Sequence, residues 1–270
     1  MNASNANIHP NAKIGSNVTI EPFATIGDNV EVGDGSWIGP NAVIMSGSRI
    51  GKNCRIYPGA VIGSIPQDLK FEGENTLAVI GDNTTVREYV TVNRGTKANN
   101  ETKVGNNCLL MAYVHVAHDC IISNNCILAN GVTLAGHIEI DDYAIIGGLS
   151  AIHQFVKIGK HVIISGGSLV NKDVPPFTKA ARDPLSYAGV NSIGLKRRGF
   201  ETETINNIQE YYRVVYQSGM NNSQAVEMVT EQFPQSPERD EIIAFIRDSE
   251  RGIMKGYAST KNENRLREYL

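Results

Sequence analysis

No apolar run in the 270 residues approaches the ~20 that a membrane-spanning helix needs, although 41% of the chain is hydrophobic. The opening MNASNANIHP lacks the charged-then-apolar pattern of a secretory leader. A cytoplasmic protein with no membrane span is the expectation. Excess charge of either sign is missing too: the net charge is −3, which excludes a general nucleic-acid footprint. Basic residues gather only at Lys196, Arg197 and Arg198, a cluster suited to an anion or an acidic partner. Cysteine is scarce, and the four present show no CxxC pairing, so neither a disulfide framework nor a cysteine metal site is indicated. No cofactor is expected.

What the chain does have is a period. Aliphatic residues recur every six positions through Ile8, Ile14, Ile20, Ile26, Val32 and onward to Ile62, again at Ile80, Val86 and Val92, and then from Val104 to Val170. Six matches neither the 3.6 of a helix nor a sustained alternation of two, so each hexad is a short strand followed by a corner. Three hexads make a triangular coil of 18 residues. A second small or apolar residue stands two places earlier, as at Ala24, Ala42, Ala60, Val114 and Val132, and shares the inward face. Gly, Asn and Asp follow, as in Gly27-Asp28-Asn29 and Gly105-Asn106-Asn107, and suit tight or left-handed corners. Cys54, Cys108, Cys120 and Cys126 all take the small inward position and read as core thiols.

Two excursions interrupt the coils, near 63–79 and 93–103. The second, RGTKANNETK, reads as a solvated detour. The first groups Gln67, Asp68 and Lys70 and is the better functional candidate. After Val170 the paired prolines of DVPPFTKAARDP are expected to end strand pairing. From about residue 188 the pattern turns helical, with one stripe at Ile205, Ile208, Tyr212 and Val215 and another at Ile242, Ile243, Phe245 and Ile246. The polar stretch 258–270 is expected to fray. The expected architecture is mainly β: a parallel β-helix over 1–187, then an α-helical domain over 188–270.

The coil arithmetic also places histidines. His137 follows His118 by one coil plus one residue, and His153 follows it by two coils minus one. With strands about 4.8 Å apart, the three imidazoles should line one edge over roughly 10 Å. His115 lies near the same edge, whereas His161 is out of phase and reads as a surface or interface residue. Three such imidazoles could hold zinc, as in the β-helical carbonic anhydrases. The run HVAHDC favours a base instead, because Asp119 beside His118 can orient the ring and stabilise its protonated form.

The hexads resemble those of the hexapeptide-repeat acyltransferases, which implies a left-handed parallel β-helix and active sites between the subunits of a trimer. The hand comes from the resemblance alone, since the rule for parallel crossovers gives the opposite. The segments IPQDLKF, HVAHDC, ILANGVTLAGH, AIIGGLSAIHQF, KDVPPF and GLKRRGF are similar, in order and spacing, to the UDP-N-acetylglucosamine O-acyltransferase family of lipid A biosynthesis. That resemblance covers nearly the whole chain. It implies transfer of a 3-hydroxyacyl chain from acyl carrier protein to the sugar 3-hydroxyl, or to the 3-amino analogue, by a homotrimer. It implies His118 as general base, Asp119 as its orienting carboxylate and Gly136 as the backbone donor to the oxyanion. Residues implied around the sugar and acyl groups are His115, His137 and His153, with Gln67, Asp68 and Lys70 from the first excursion. Gln154 is implied near the diphosphate, Asn191 and Arg198 at the uridine, and Arg197 toward the carrier-protein arm. Gly166 matches the far end of the acyl groove, where a glycine implies a long chain. Ile193 departs from the family pattern, which has an acidic residue there, and Arg182 and Pro184 depart near the nucleotide and acyl tail. An N-acyltransferase of the same pathway shares the repeat but has a globular domain ahead of it, whereas hexads here begin at Ile8. A non-catalytic scaffold is the remaining alternative.

Overall fold

Each hexad folds as a two-residue strand whose aliphatic points inward and a four-residue corner that turns the chain to the next face. Thr25–Ile26, Glu31–Val32 and Trp37–Ile38 are three consecutive strands on three faces. The strand 18 residues later closes the coil in register, pairing Thr25 with Val43 and Ile26 with Ile44. The computed structural model describes residues 5–256. It is a left-handed parallel β-helix with sheets of nine, eight and eleven strands on its first, second and third faces. On the first face the inward column Ile26, Ile44, Ile62, Val92, Val116 and Leu134 is buried throughout and alternates with buried Ala24, Ala42, Ala60, Val90, Val114 and Val132. Large and small side chains thus fill the narrow prism, each buried aliphatic contributing about 1.5–3 kcal/mol. All four cysteines are buried and unpaired. Cys108 and Cys126 donate to the Ser123 and Asp141 carbonyls at 3.1 Å, and burial pushes Cys120 up to about 12.

At the corners the third position takes the left-handed conformation, with φ between 56° and 64° at Asn107, Asp119, Asn125, His137, Tyr143, Phe155 and His161. The glycine two places earlier answers a different need. A Cβ on Gly105 would stand 2.7 Å from the Ser123 carbonyl oxygen of the next coil.

The paired prolines do not end the sheet. Pro175 and Pro176 occupy a corner, where no ladder N–H is required, and pairing resumes immediately: Lys179 and Ala180 lie parallel to Ile163 and Ile164. The chain then turns back, so that Ser186–Val190 runs antiparallel to Thr178–Ala181 across the expected boundary at 187/188. Arg182 and Pro184 lie in the connecting turn. Four helices follow: α1 (Ser192–Arg197), α2 (Thr202–Gln217), α3 (Asn222–Gln232) and α4 (Pro237–Arg247). The expected stripe of α2 is buried, joined by Tyr211, and the Tyr212 hydroxyl donates to the Pro176 carbonyl at 2.6 Å. Helix α3 leaves little trace in the apolar pattern because it buries only Ala225, Val226 and Val229. Its start is set by a capping box between Asn221 and Gln224. Lys255–Gly256 then pairs parallel with Ser186–Val190, tying the helical unit to the third face. The fraying expected over 258–270 lies outside the described residues.

Candidate active site

The corners that join the first face to the second stack 117–120, 135–138 and 153–156 above one another, so residues 18 apart occupy equivalent slots. His153 falls in the first slot, His118 in the second and His137 in the third. His118 and His137 meet edge to face with centroids 5.1 Å apart, and His137 stacks on Phe155 at 4.6 Å. The expected histidine edge exists, and two of its members touch.

Asp119 and His118 are neighbours in sequence, which on a strand would send their side chains to opposite faces. The left-handed φ of 60° at Asp119 removes that obstacle. Nδ1 of His118 lies 2.8 Å from Asp119 Oδ2. A carboxylate only accepts, so Nδ1 bears a proton, and in the neutral imidazole this leaves the lone pair on Nε2. The carboxylate is wholly buried. Its Oδ1 accepts from the Thr96 and Asn99 N–H groups at 2.9 and 3.2 Å, and its Oδ2 from the Thr96 hydroxyl at 2.7 Å. Burial alone would raise the Asp119 carboxyl, but the hydrogen bonds from His118, Thr96 and Asn99 outweigh it and hold the group below its ordinary value.

Gly136 sits directly above His118. A Cβ there would stand 2.6 Å from His118 Cε1 and 2.7 Å from Nε2, so only glycine lets the imidazole lie against the backbone. Its N–H donates to no acceptor among the described residues, which leaves a donor free beside the base. Nδ1 of His115 is 2.7 Å from the Thr91 hydroxyl. Burial, with His118 as a secondary influence, lowers the His115 pKa and so favours the neutral ring. Nδ1 of His153 lies 3.1 Å from the Gln154 carbonyl, and the Gln154 side chain is exposed.

Both excursions leave the solenoid at this same edge, one over 65–76 and the other over 94–100. The second is not the solvated detour expected from its polarity. Thr96 is buried and spends its donors on Asp119. Thr96 and Asn99 are therefore site residues that sequence reasoning missed, although counting 24 residues from Val92 to Val116 puts the insertion on the same edge as His118. The first excursion is a tight turn, with Asp68 Oδ1 accepting the Lys70 N–H at 2.9 Å. Gln67 and Lys70 are exposed, and none of the three contacts the histidines within the chain. The excursion packs on its neighbour through Arg94 over the Phe71 ring at 5.4 Å. Leu69 at its tip is wholly exposed.

The remaining expected residues lie on other edges. Gly166 is at the corner from the third face to the first, where a Cβ would stand 3.1 Å from the Gly148 carbonyl oxygen of the preceding coil. Asn191, Arg197 and Arg198 line a cleft of about 480 Å³ at the edge between the second and third faces. Asn191 is no free amide: its Oδ1 caps α1 by accepting the Gly194 N–H, and its Nδ2 donates to the His161 carbonyl. Arg198 stacks over Tyr143, its pKa is lowered by burial, and its buried Nη1 has no partner. Exposed Arg197 points a second cation toward the same cleft, and Ile193, also exposed, borders it. His161 is buried rather than at the surface, stacked between Tyr143 and Phe177.

His118, Asp119 and His137 place ligand atoms within 4.8 Å of one another, yet the donor set fits a metal poorly. Four hydrogen bonds occupy the carboxylate oxygens, and His153, the third expected ligand, lies outside this cluster. The arrangement fits proton transfer: a base with a free Nε2, an anchored counter-charge and a free backbone donor.

Known proteins share both parts of the chain. Residues 173–254 match the family model for UDP N-acetylglucosamine O-acyltransferase, domain 2, and residues 5–36, 29–64 and 101–136 match the bacterial transferase hexapeptide model. Over 196 residues the chain is 44% identical to the acyl-[acyl-carrier-protein]–UDP-N-acetylglucosamine O-acyltransferase of Stenotrophomonas maltophilia, covering 72% of this chain and 74% of that protein. The solved UDP-N-acetylglucosamine acyltransferase of Bacteroides fragilis superposes with a TM-score of 0.93 at 54% identity, over 94% of this chain and 99% of that one. The corresponding structure from Arabidopsis gives a TM-score of 0.77 at 30% identity, over 94% and 100%.

Proposed function

The chain belongs to the UDP-N-acetylglucosamine O-acyltransferase family, and from that premise we propose that it moves a 3-hydroxyacyl chain from acyl carrier protein to the 3-hydroxyl of UDP-N-acetylglucosamine, opening lipid A biosynthesis. The reading is carried by the buried His118–Asp119 pair at 2.8 Å. His118 Nε2 takes the proton as the sugar oxygen bonds to the thioester carbon. The Gly136 N–H receives the oxyanion, and the intermediate collapses by expelling the carrier thiolate, which recovers the proton from His118. The products are the sugar ester and the free carrier thiol. Asp119 stays ionised, since its hydrogen bonds favour the carboxylate.

The family places its sites between subunits, and the present distribution of residues supports a homotrimer. Gln67, Asp68 and Lys70 would approach the sugar and acyl chain, and Gln154 the diphosphate. Gly166 and the cations Arg197 and Arg198, which lie on other edges of the chain, would be supplied by neighbouring subunits. No helix among the described residues is long and apolar enough to cross a membrane, and the cytoplasmic setting of the carrier protein belongs to the same proposal.

The test incubates wild-type and His118→Ala protein with 3-hydroxyacyl carrier proteins of several lengths and with UDP-N-acetylglucosamine or its 3-amino analogue. Wild type is expected to form the ester, and the variant to lose at least about a hundredfold in kcat. An absence of transfer to either sugar, or full activity without His118, overturns the reading.

A further inference from the structure

The excursion over 94–100 turns its donors onto one buried carboxylate instead of onto solvent. We propose that Thr96, seconded by Asn99, is a positioning residue that aims the His118 base by fixing the rotation of Asp119. The inference rests on His118 being that base.

A carboxylate on its own turns freely, because the terminal torsion of aspartate has a broad well. Here every degree of freedom is held. The Asp119 N–H donates to the Thr102 hydroxyl at 2.8 Å and its carbonyl accepts from Asn99 Nδ2 at 3.1 Å, which pins the left-handed backbone. Two backbone N–H groups, of Thr96 and Asn99, seize Oδ1. The Thr96 oxygen accepts the Ala98 N–H at 3.2 Å, so its own hydrogen is turned to Asp119 Oδ2. The remaining acceptor direction of Oδ2 is the one His118 uses. Remove the Thr96 hydroxyl and the carboxylate can swing, taking the imidazole with it. A displacement of about 1 Å at a reacting atom costs on the order of a hundredfold in rate. Thr96 touches no reacting atom, so its effect falls on kcat and not on substrate affinity.

The experiment measures kcat and both KM values for Thr96→Val, Thr96→Ser and Asn99→Ala, with His118→Ala alongside. Thr96→Val keeps the volume and loses the hydroxyl, so kcat is expected to fall about tenfold or more with both KM values within about twofold of wild type. Thr96→Ser is expected to recover kcat to within about threefold, and Asn99→Ala to lose severalfold. A purely structural role would lower the melting temperature without separating valine from serine. Folded Thr96→Val with wild-type kcat, or serine no better than valine, overturns the inference. If the valine variant does not fold, Asn99→Ala decides, because that side chain is exposed and an unchanged kcat there overturns it. Should His118→Ala retain transfer, the base assignment fails. If it is inactive while the loop variants are unaffected, only the role of Thr96 falls.

Discussion

At the scale of single residues, the site depends on backbone allowances as much as on functional groups. Asp119 reaches His118 because aspartate tolerates the left-handed slot. Gly136 is present for a different reason. Its backbone lies outside the positive-φ positions, so alanine would be conformationally acceptable, and the whole effect of a Cβ would be its approach to His118 Cε1 at 2.6 Å. Gly136→Ala should therefore fold normally by circular dichroism and melt near the wild-type temperature, while kcat falls at least about tenfold as the imidazole is pushed from its seat. Wild-type kcat in that variant would mean that the ring does not work from this position. The pair HVAHDC was legible as a candidate base and carboxylate. Whether the two side chains meet was not, since that depends on a single φ.

At the scale of elements, the corners are shared scaffolding put to different uses. Along the edge between the second and third faces, the slot that holds Asp119 and His137 on the neighbouring edge holds Tyr143, His161 and Phe177 in a stack. Burial, with Arg198 and Lys160 adding to it, depresses His161 to about 4. The folded protein therefore binds fewer protons than the unfolded chain between about pH 6.5 and 4, and His161 costs stability increasingly as pH falls through that window. Phenylalanine fits this slot, as Phe155 and Phe177 show with φ of 64° and 65°, and the bond from Asn191 goes to the backbone carbonyl and survives. His161→Phe is expected to narrow the drop in melting temperature between pH 7 and pH 4.5. An identical drop in both proteins would assign the acid sensitivity to other groups. The same scale explains why the excursion over 94–100 was misread: a polar loop looks solvated until the carboxylate it surrounds is located.

At the scale of the whole molecule, the proposed function calls for a site shared between chains. His118, Gly166 and the arginine cleft lie at three separate places on the prism. The edge from the third face to the first exposes Phe23, Tyr89, Tyr113 and Leu149, with the two tyrosines stacked at 5.3 Å. Exposed apolar side chains along one edge suit the chain contacts that the proposal requires. Sedimentation is expected to give about three times the chain mass of 29.4 kDa. Leu149→Glu should shift the population toward single chains and lower transfer in parallel, leaving the solenoid intact because the residue is 77% exposed. A monomeric wild type with full activity would refute the shared site.

The sequence by itself determined the solenoid, because a six-residue period can be buried only by stacking coils. It also determined that three histidines share an edge, since an 18-residue coil converts chain position directly into height and corner. Only the tertiary structure decided what those residues do to one another. Corner torsion, not spacing, brings Asp119 to His118, and a loop outside the period supplies Thr96 and Asn99. The prolines at 175 and 176 fall where the ladder asks for no donor, so the sheet continues past them. The strand Lys255–Gly256 joins a partner 69 residues earlier in the chain, Ser186, a contact that no local pattern encodes.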